Sequence, residues 1–352
     1  MINGMQHIGI GVQNREESYK FYNNALLFSV PMSKHEGYCS GVVPIIEHDE
    51  TRNVIISMNP YGGAAVEVFQ YTSKTPVPVP AQVDFLYNGY LFYGVPVKNI
   101  EKAVGKVLKN KGRIITDSTV FTPMKDKGWK TAVFTDPFGV TGIMVEYPES
   151  FVGYGEGTTK IGGVDYIAIG VSDIERSVDF YKNMLDYDVK VYSSKQNSKG
   201  IFEGECPEWD GLFGKGRKIK RALLVKSEKP QGTFKHFLKG GMIELIEAEG
   251  NTGKHSYDGR KWGDIGFMEL CFDVSDIQPA IDALVSKGAD LAVPVYTQDM
   301  GQKTEASFAY IRDPDGSLIE FAEIKRLPMP YWLIRLLVNP TTVKFLKFLK
   351  LL

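Results

Sequence analysis

This chain of 352 residues has few cysteines, no long apolar run and no block of like charge. Its three cysteines, Cys39, Cys206 and Cys271, are odd in number and far apart, which excludes a disulfide framework and a Cys-x-x-Cys metal site. Such usage suits a reducing compartment, and the cytoplasm is the expected location. No stretch reaches the roughly 20 apolar residues of a membrane-spanning helix. The opening residues, Met1 to Gln6, lack the basic and apolar blocks of a secretion signal. A formal net charge of −1 provides no basic face for nucleic acid, so no nucleic-acid partner is expected. With 43% hydrophobic and 24% charged residues the composition is that of a globular protein long enough for about two domains.

Internal repetition organises the chain. Gly11-Val12-x-Asn14-x-Glu16-x-Ser18-x-x-Phe21-Tyr22-x-Asn24-x-Leu26 returns as Gly170-Val171-x-Asp173-x-Glu175-x-Ser177-x-x-Phe180-Tyr181-x-Asn183-x-Leu185. Each copy reads as an alternating strand, a capping Asn14 or Asp173, and a helix with apolar residues at helical spacing. Shorter versions follow at Val97 to Gly112 and Val274 to Gly288, where Lys-Gly is a helix ending. Four modules of type βαβββ are therefore predicted, starting near Gln6, Leu91, Asp165 and Met268. The predicted organisation is one two-module domain over 1–150, a Gly- and Thr-rich linker over 151–163, a second two-module domain over 164–325 and a helical tail over 326–352. Residues 195–218 read as an inserted loop that could cover a site. The tail, with Tyr331 to Ile334 and the lysine-bearing run Val343 to Lys350, reads as helices packed on the body or on a second subunit, with a membrane-surface contact as the alternative. The molecule is read as a monomer or a homodimer.

The turn Asp313-Pro314-Asp315-Gly316 feeds the apolar run Leu318-Ile319-Glu320-Phe321-Ala322, in which an ionised Glu320 demands a cation or hydrogen bonds. A degraded copy of the turn is Asp136-Pro137-Phe138-Gly139, and similar strands carry Glu67 and Glu244. Strand alternation puts Gln6, Ile8, Ile10 and Val12 on one face and His7, Gly9 and Gly11 on the other. The apolar face should meet the helix, which turns His7 inward. By the same parity Glu269, Cys271 and Asp273 face away from the helix-packing Met268, Leu270, Phe272 and Val274.

Four such modules, opening with His7-Ile8-Gly9-Ile10-Gly11-Val12 and closing with Asp313-Pro314-Asp315-Gly316 and Glu320, resemble the vicinal oxygen chelate superfamily, the family of glyoxalase I, bleomycin resistance proteins, methylmalonyl-CoA epimerase and extradiol dioxygenases. The resemblance runs from about Met5 to Glu323 and implies an α+β fold of tandem glyoxalase-like domains in which paired modules curl into cups. In that family metal ligands come from the first and last strands of each module. The corresponding positions here are His7, Phe92, Tyr166 and Glu269 on the opening strands and Glu67, Ile143, Glu244 and Glu320 on the closing ones. Pairing modules within each half would split them into two poor sites. Pairing the first module with the fourth, as four-module members can, places His7, Glu67, Glu269 and Glu320 in one cup and Phe92, Ile143, Tyr166 and Glu244 in the other.

One imidazole and three carboxylates suit a divalent cation, with Zn, Ni, Co, Mn, Fe and Mg all open. Without an ion the carboxylates repel one another and some of their pKa values should rise. The resemblance then implies a metal-dependent enzyme that chelates a small oxygenated substrate and transfers a proton through Glu67 or Glu320, as a lyase, isomerase or epimerase. Two alternatives stand beside it: a metal-free binding protein of the bleomycin-resistance type, and an extradiol-type dioxygenase, which would need a second histidine on iron. His35, His48, His236 and His255 fall in variable segments and read as surface residues.

Overall fold

The structure is a computed structural model that describes all residues except 80–84, 117–118, 125–126, 148–160, 191–194, 227, 229–230, 233, 239–240, 302 and 350–352; at 119–124, 127–128 and 208 only the backbone is described. Each quarter of the chain forms a βαβββ unit, and the units assemble into two curled sheets. The first sheet has eight strands in the order Asp290–Asp299, Glu305–Arg312, Leu318–Arg326, Gly266–Val274, Ile2–Gly11, Ala65–Tyr71, Thr51–Met58 and Val30–Tyr38. It joins the first and fourth modules. The second sheet, of ten strands, joins the third and second modules through Tyr166–Gly170 and Gly89–Pro96. In both sheets the two opening strands run antiparallel at the centre, and each lies parallel to the closing strand of its own module. Each cup therefore takes one module from each half of the sequence. Residues 151–160 of the expected linker lie outside the described residues, whereas Ile161 bridges Val97 and Val164 bridges Ala64.

Local chemistry explains the helices. Asn14, Asn99 and Asp173 are extended N-caps whose side chains accept the amides of Glu17, Lys102 and Arg176. The repeated Phe-Tyr pair has a structural purpose. Tyr22 donates to Asp136 Oδ2 at 2.9 Å and Tyr181 donates to Asp313 Oδ2 at 3.0 Å, so a tyrosine from one module grips the turn of the next. The other oxygen of each aspartate accepts two amides of its own turn, Phe138 and Val140 in one and Asp315 and Ser317 in the other. Burial pushes both carboxyls up to about 6 even against these hydrogen bonds.

Three readings need correction. Gln6 does not share the helix-packing face of Ile8 and Ile10, because a register shift between Met5 and His7 turns it to the cup side, where it bonds Asp273. Residues 195–218 are not a free loop. They carry a strand, Phe202–Glu205, and a short helix, Asp210–Phe213, and they bury Trp209 and Phe213 in the core of the second cup. Among the histidines, His255 is partly buried and faces Ser317 at 3.3 Å, and His35 faces Gln298 at 3.0 Å. The tail forms two helices, Tyr331–Val338 and Pro340–Phe348, whose Ile334, Val338 and Val343 pack over Val30, Met58 and Phe234 of the body. Among the described residues no helix is long and apolar enough to cross a membrane.

Candidate metal centre

The strand register builds two rows across the floor of the first cup. His7 lies opposite Cys271, which lies beside Glu320; in the next row Gly9 lies between Glu269 and Glu67. Gly9 must be glycine for this arrangement, since an ideal Cβ there would stand 1.6 Å from Glu269 Oε1. The four residues selected by register thus share one face of one sheet, although their numbers span the whole chain.

His7 is the hub. Its Nε2 lies 3.0 Å from Glu320 Oε2 and 3.4 Å from Glu67 Oε2, and all three side chains are buried. The Nδ1 side faces Gln6 Oε1 at 3.1 Å, and Gln6 in turn donates to Asp273, which also accepts Asn3. That chain orients the imidazole and turns Nε2 towards the carboxylates, as outer hydrogen bonds do for metal-bound histidines. Glu320 Oε1 accepts the Tyr310 hydroxyl and Glu269 Oε2 accepts the Trp262 indole N–H.

The electrostatics follow from crowding in a dry place. Burial, aided by repulsion from Glu320 and Glu67, holds the Glu269 carboxyl far above the usual range. Burial also raises Glu67, against the pull of His7. Glu320 is depressed: burial opposes ionisation, but the close approach and charge of His7, with Tyr310 and Cys271, outweigh it. His7 is raised, because Glu320 and Glu67 overcome the opposing effect of its burial.

The donor set accommodates a cation. His7 Nε2 and Glu320 Oε2 are buried and make no hydrogen bond among the described residues, despite their close approach. Unsatisfied buried atoms of opposite polarity are costly, and an ion between them would satisfy both. Ligand atoms of His7, Cys271 and Glu320 also lie within 4.8 Å of one another. Parity had already turned Cys271 inward, but only the antiparallel register sets it across from His7. Arg52 was missed entirely. It is 7% exposed, its guanidinium lies 5.7 Å from the Phe69 ring and 5.8 Å from Trp262, and its charge favours ionised Glu67 and Glu269.

The cup is polar and closed at one end and apolar at the other. Phe69, Tyr71, Trp262 and Tyr310 pack together at the closed end. Beyond His7 and Gln6 lies a cavity of about 300 Å³ whose walls include Met58, Phe234, Phe308, Ile334 and Leu337, so the tail helices form part of its roof.

The second cup is different inside. Glu244 forms an ion pair with Arg221 and accepts the Tyr166 hydroxyl. Arg221 lies 4.1 Å from the Trp209 ring, and the rings of Phe92 and Tyr166 are stacked at 6.3 Å. A guanidinium balances the carboxylate, and aromatic side chains fill the space around it.

Comparison with known proteins agrees with this architecture. Residues 163–321 match the model of the Glyoxalase/Bleomycin resistance protein/Dioxygenase superfamily. Glyoxalase I from Zea mays aligns with 14% identity over 96% of both chains at a TM-score of 0.57. A putative dioxygenase from Bacillus subtilis aligns with 13% identity over 96% of this chain and 90% of its own, at 0.53. At these identities the likeness is one of fold. No curated protein matches the sequence. The family match thus covers residues 163–321, and the whole chain shares the glyoxalase I fold, with four modules in one polypeptide.

Proposed function

We propose that the first cup is the working site of a metal-dependent, glyoxalase-like enzyme that moves a proton on a small oxygenated substrate with an apolar body. The observation that carries this reading is the buried pair His7 Nε2 and Glu320 Oε2, 3.0 Å apart without a hydrogen bond and flanked by Glu67 at the end of the apolar cavity. His7, Glu67, Glu269 and Glu320 would hold the cation, with Cys271 close enough to join them. When bound, a divalent ion polarises neighbouring substrate oxygens and acidifies the adjacent C–H.

The chain's own residues divide the remaining work. Glu67 is the better base of the two candidates. Glu320 is tied to Tyr310 by a hydrogen bond, whereas Glu67 contacts His7 by charge alone among the described residues and is the freer of the two to move. Trp262 and Tyr310 hold Glu269 and Glu320 in place, and the tail helices keep water from the substrate's apolar part.

Elemental analysis of purified protein tests the site. One divalent ion per chain is expected in wild type, with loss in His7→Ala and in Glu320→Gln. Stoichiometric metal in both variants would refute the assignment. A Glu67→Gln variant that still holds an ion should lose solvent exchange of the substrate's acidic C–H. The dioxygenase reading is disfavoured because the cup offers one histidine where a 2-His-1-carboxylate site needs two. In a metal-free binding protein a protonated His7 would pair with Glu320 at 3.0 Å, and the elemental analysis separates that alternative from the metal site.

A further inference from the structure

The tail does more than roof the cavity. From Leu327 to Leu352 it contains no acidic residue, but it carries Arg335, Lys344, Lys347 and Lys350. Its two helices each have opposite faces. In Tyr331–Val338 the buried stripe is Ile334 and Val338, and the residues about 200° away, Trp332 and Leu336, are 67% and 55% exposed. In Pro340–Phe348 Val343 is buried, while Phe345 and Phe348 are 59% and 82% exposed. Ile334, Leu337, Val338 and Leu346 all line the cavity, so both outer faces point away from the body.

These outer faces gather much of the protein's large exposed apolar surface. Trp332, Leu336, Phe345, Phe348 and Leu349 are five of the twelve exposed large hydrophobic residues among those described. Arg335 and Lys344 are exposed on the same stripes as the aromatics, one turn from Trp332 and Phe348. More positive charge surrounds them: desolvation and then the charges of Arg335 and Lys235 depress His236, and burial and then the charge of Lys106 depress Lys347.

We propose that this outer face of the tail docks on an anionic lipid surface. Aromatic side chains enter the headgroup boundary, and Arg335, Lys344 and their basic neighbours meet the negative headgroups. The charge pattern selects this occupant. A second copy of the chain would bring the same positive charges against themselves, whereas an anionic bilayer complements them. Docking would also set the roof of the apolar cavity against the lipid phase. The inference rests on the tail alone and stands or falls separately from the metal centre.

Co-flotation of the full chain with vesicles of phosphatidylcholine, with and without phosphatidylglycerol, tests it. Wild type should float with the phosphatidylglycerol vesicles and be released by salt. Arg335→Gln with Lys344→Gln should weaken partitioning roughly thirtyfold, from about 1 kcal/mol for each cation. Trp332→Ser with Phe348→Ser should abolish it; all four positions are exposed, and an unchanged near-UV circular dichroism spectrum verifies the fold. No flotation, equal binding to both vesicles, or variants that bind like wild type would each overturn the proposal. A dimer that Trp332→Ser with Phe348→Ser dissociates, found without vesicle binding, would assign the face to a second copy and overturn it as well.

Discussion

Gly9→Ala puts the geometry of the candidate centre to its sharpest test. In an ordinary strand this change stabilises a protein by about 0.5–1 kcal/mol, because alanine loses less backbone entropy on folding. At Gly9 the new methyl would stand 1.6 Å from Glu269 Oε1, 2.5 Å from its Cδ and 3.0 Å from Met268 Cε. Glu269 cannot step aside freely, since its other oxygen accepts the Trp262 N–H and its carboxyl is fully buried. Overpacking of this kind costs about 1–3 kcal/mol, which outweighs the entropic gain. In a Glu269→Ala background only the flexible Met268 Cε, at 3.0 Å, is left to give way, and the same substitution should stabilise by a few tenths to about 1 kcal/mol. The sign of the effect therefore reverses between backgrounds. Denaturant titrations of the four proteins measure this, and the loss of the Trp262 acceptor cancels because it occurs on both sides of the cycle. Equal destabilisation in both backgrounds would mean that Glu269 does not lie over Gly9, and the proposed donor set would lose a member.

The turn aspartates predict a pH effect with a definite sign. Asp136 and Asp313 have folded pKa values of about 6, above the unfolded value near 3.9, so between those limits the folded protein holds more protons and stability falls as pH rises from about 4 to 6. Asp136→Asn keeps the oxygen that accepts Phe138 and Val140 and removes the charge, so it should erase that residue's share of the slope, up to about 3 kcal/mol, in urea titrations across the window. In the second cup Arg221→Met should cost about 3–5 kcal/mol by leaving Glu244 buried without its cation, and Glu244→Leu should recover much of that loss in the double variant. A recovery that fails to appear in the denaturation midpoint would show that Arg221 acts through other contacts.

Several features could be read from residue order because they depend on local rules. The repeat of capping residue, helix and strand exposed four modules, since a βαβββ unit leaves its turns and apolar periods in the sequence. Strand alternation placed His7, Glu269 and Cys271 on the inner side, because a side chain's face depends only on its parity within the strand. The Tyr22–Asp136 grip was not legible, although both residues belonged to recognised repeats, because nothing local says that a helix will reach a turn 114 residues away.

The sequence by itself determined the modules, the turns and which face of each strand carries the ionisable groups. Tertiary structure alone decided the distances between them. Parity cannot say how far two antiparallel strands slide, and the register shift at Met5 to His7 both turned Gln6 inward and set His7 opposite Cys271. Nor could it bring Arg52 and Trp262 to the closed end of the cup or fold the tail over the open end. Those placements depend on long-range packing, in which segments hundreds of residues apart meet because together they remove apolar surface from water.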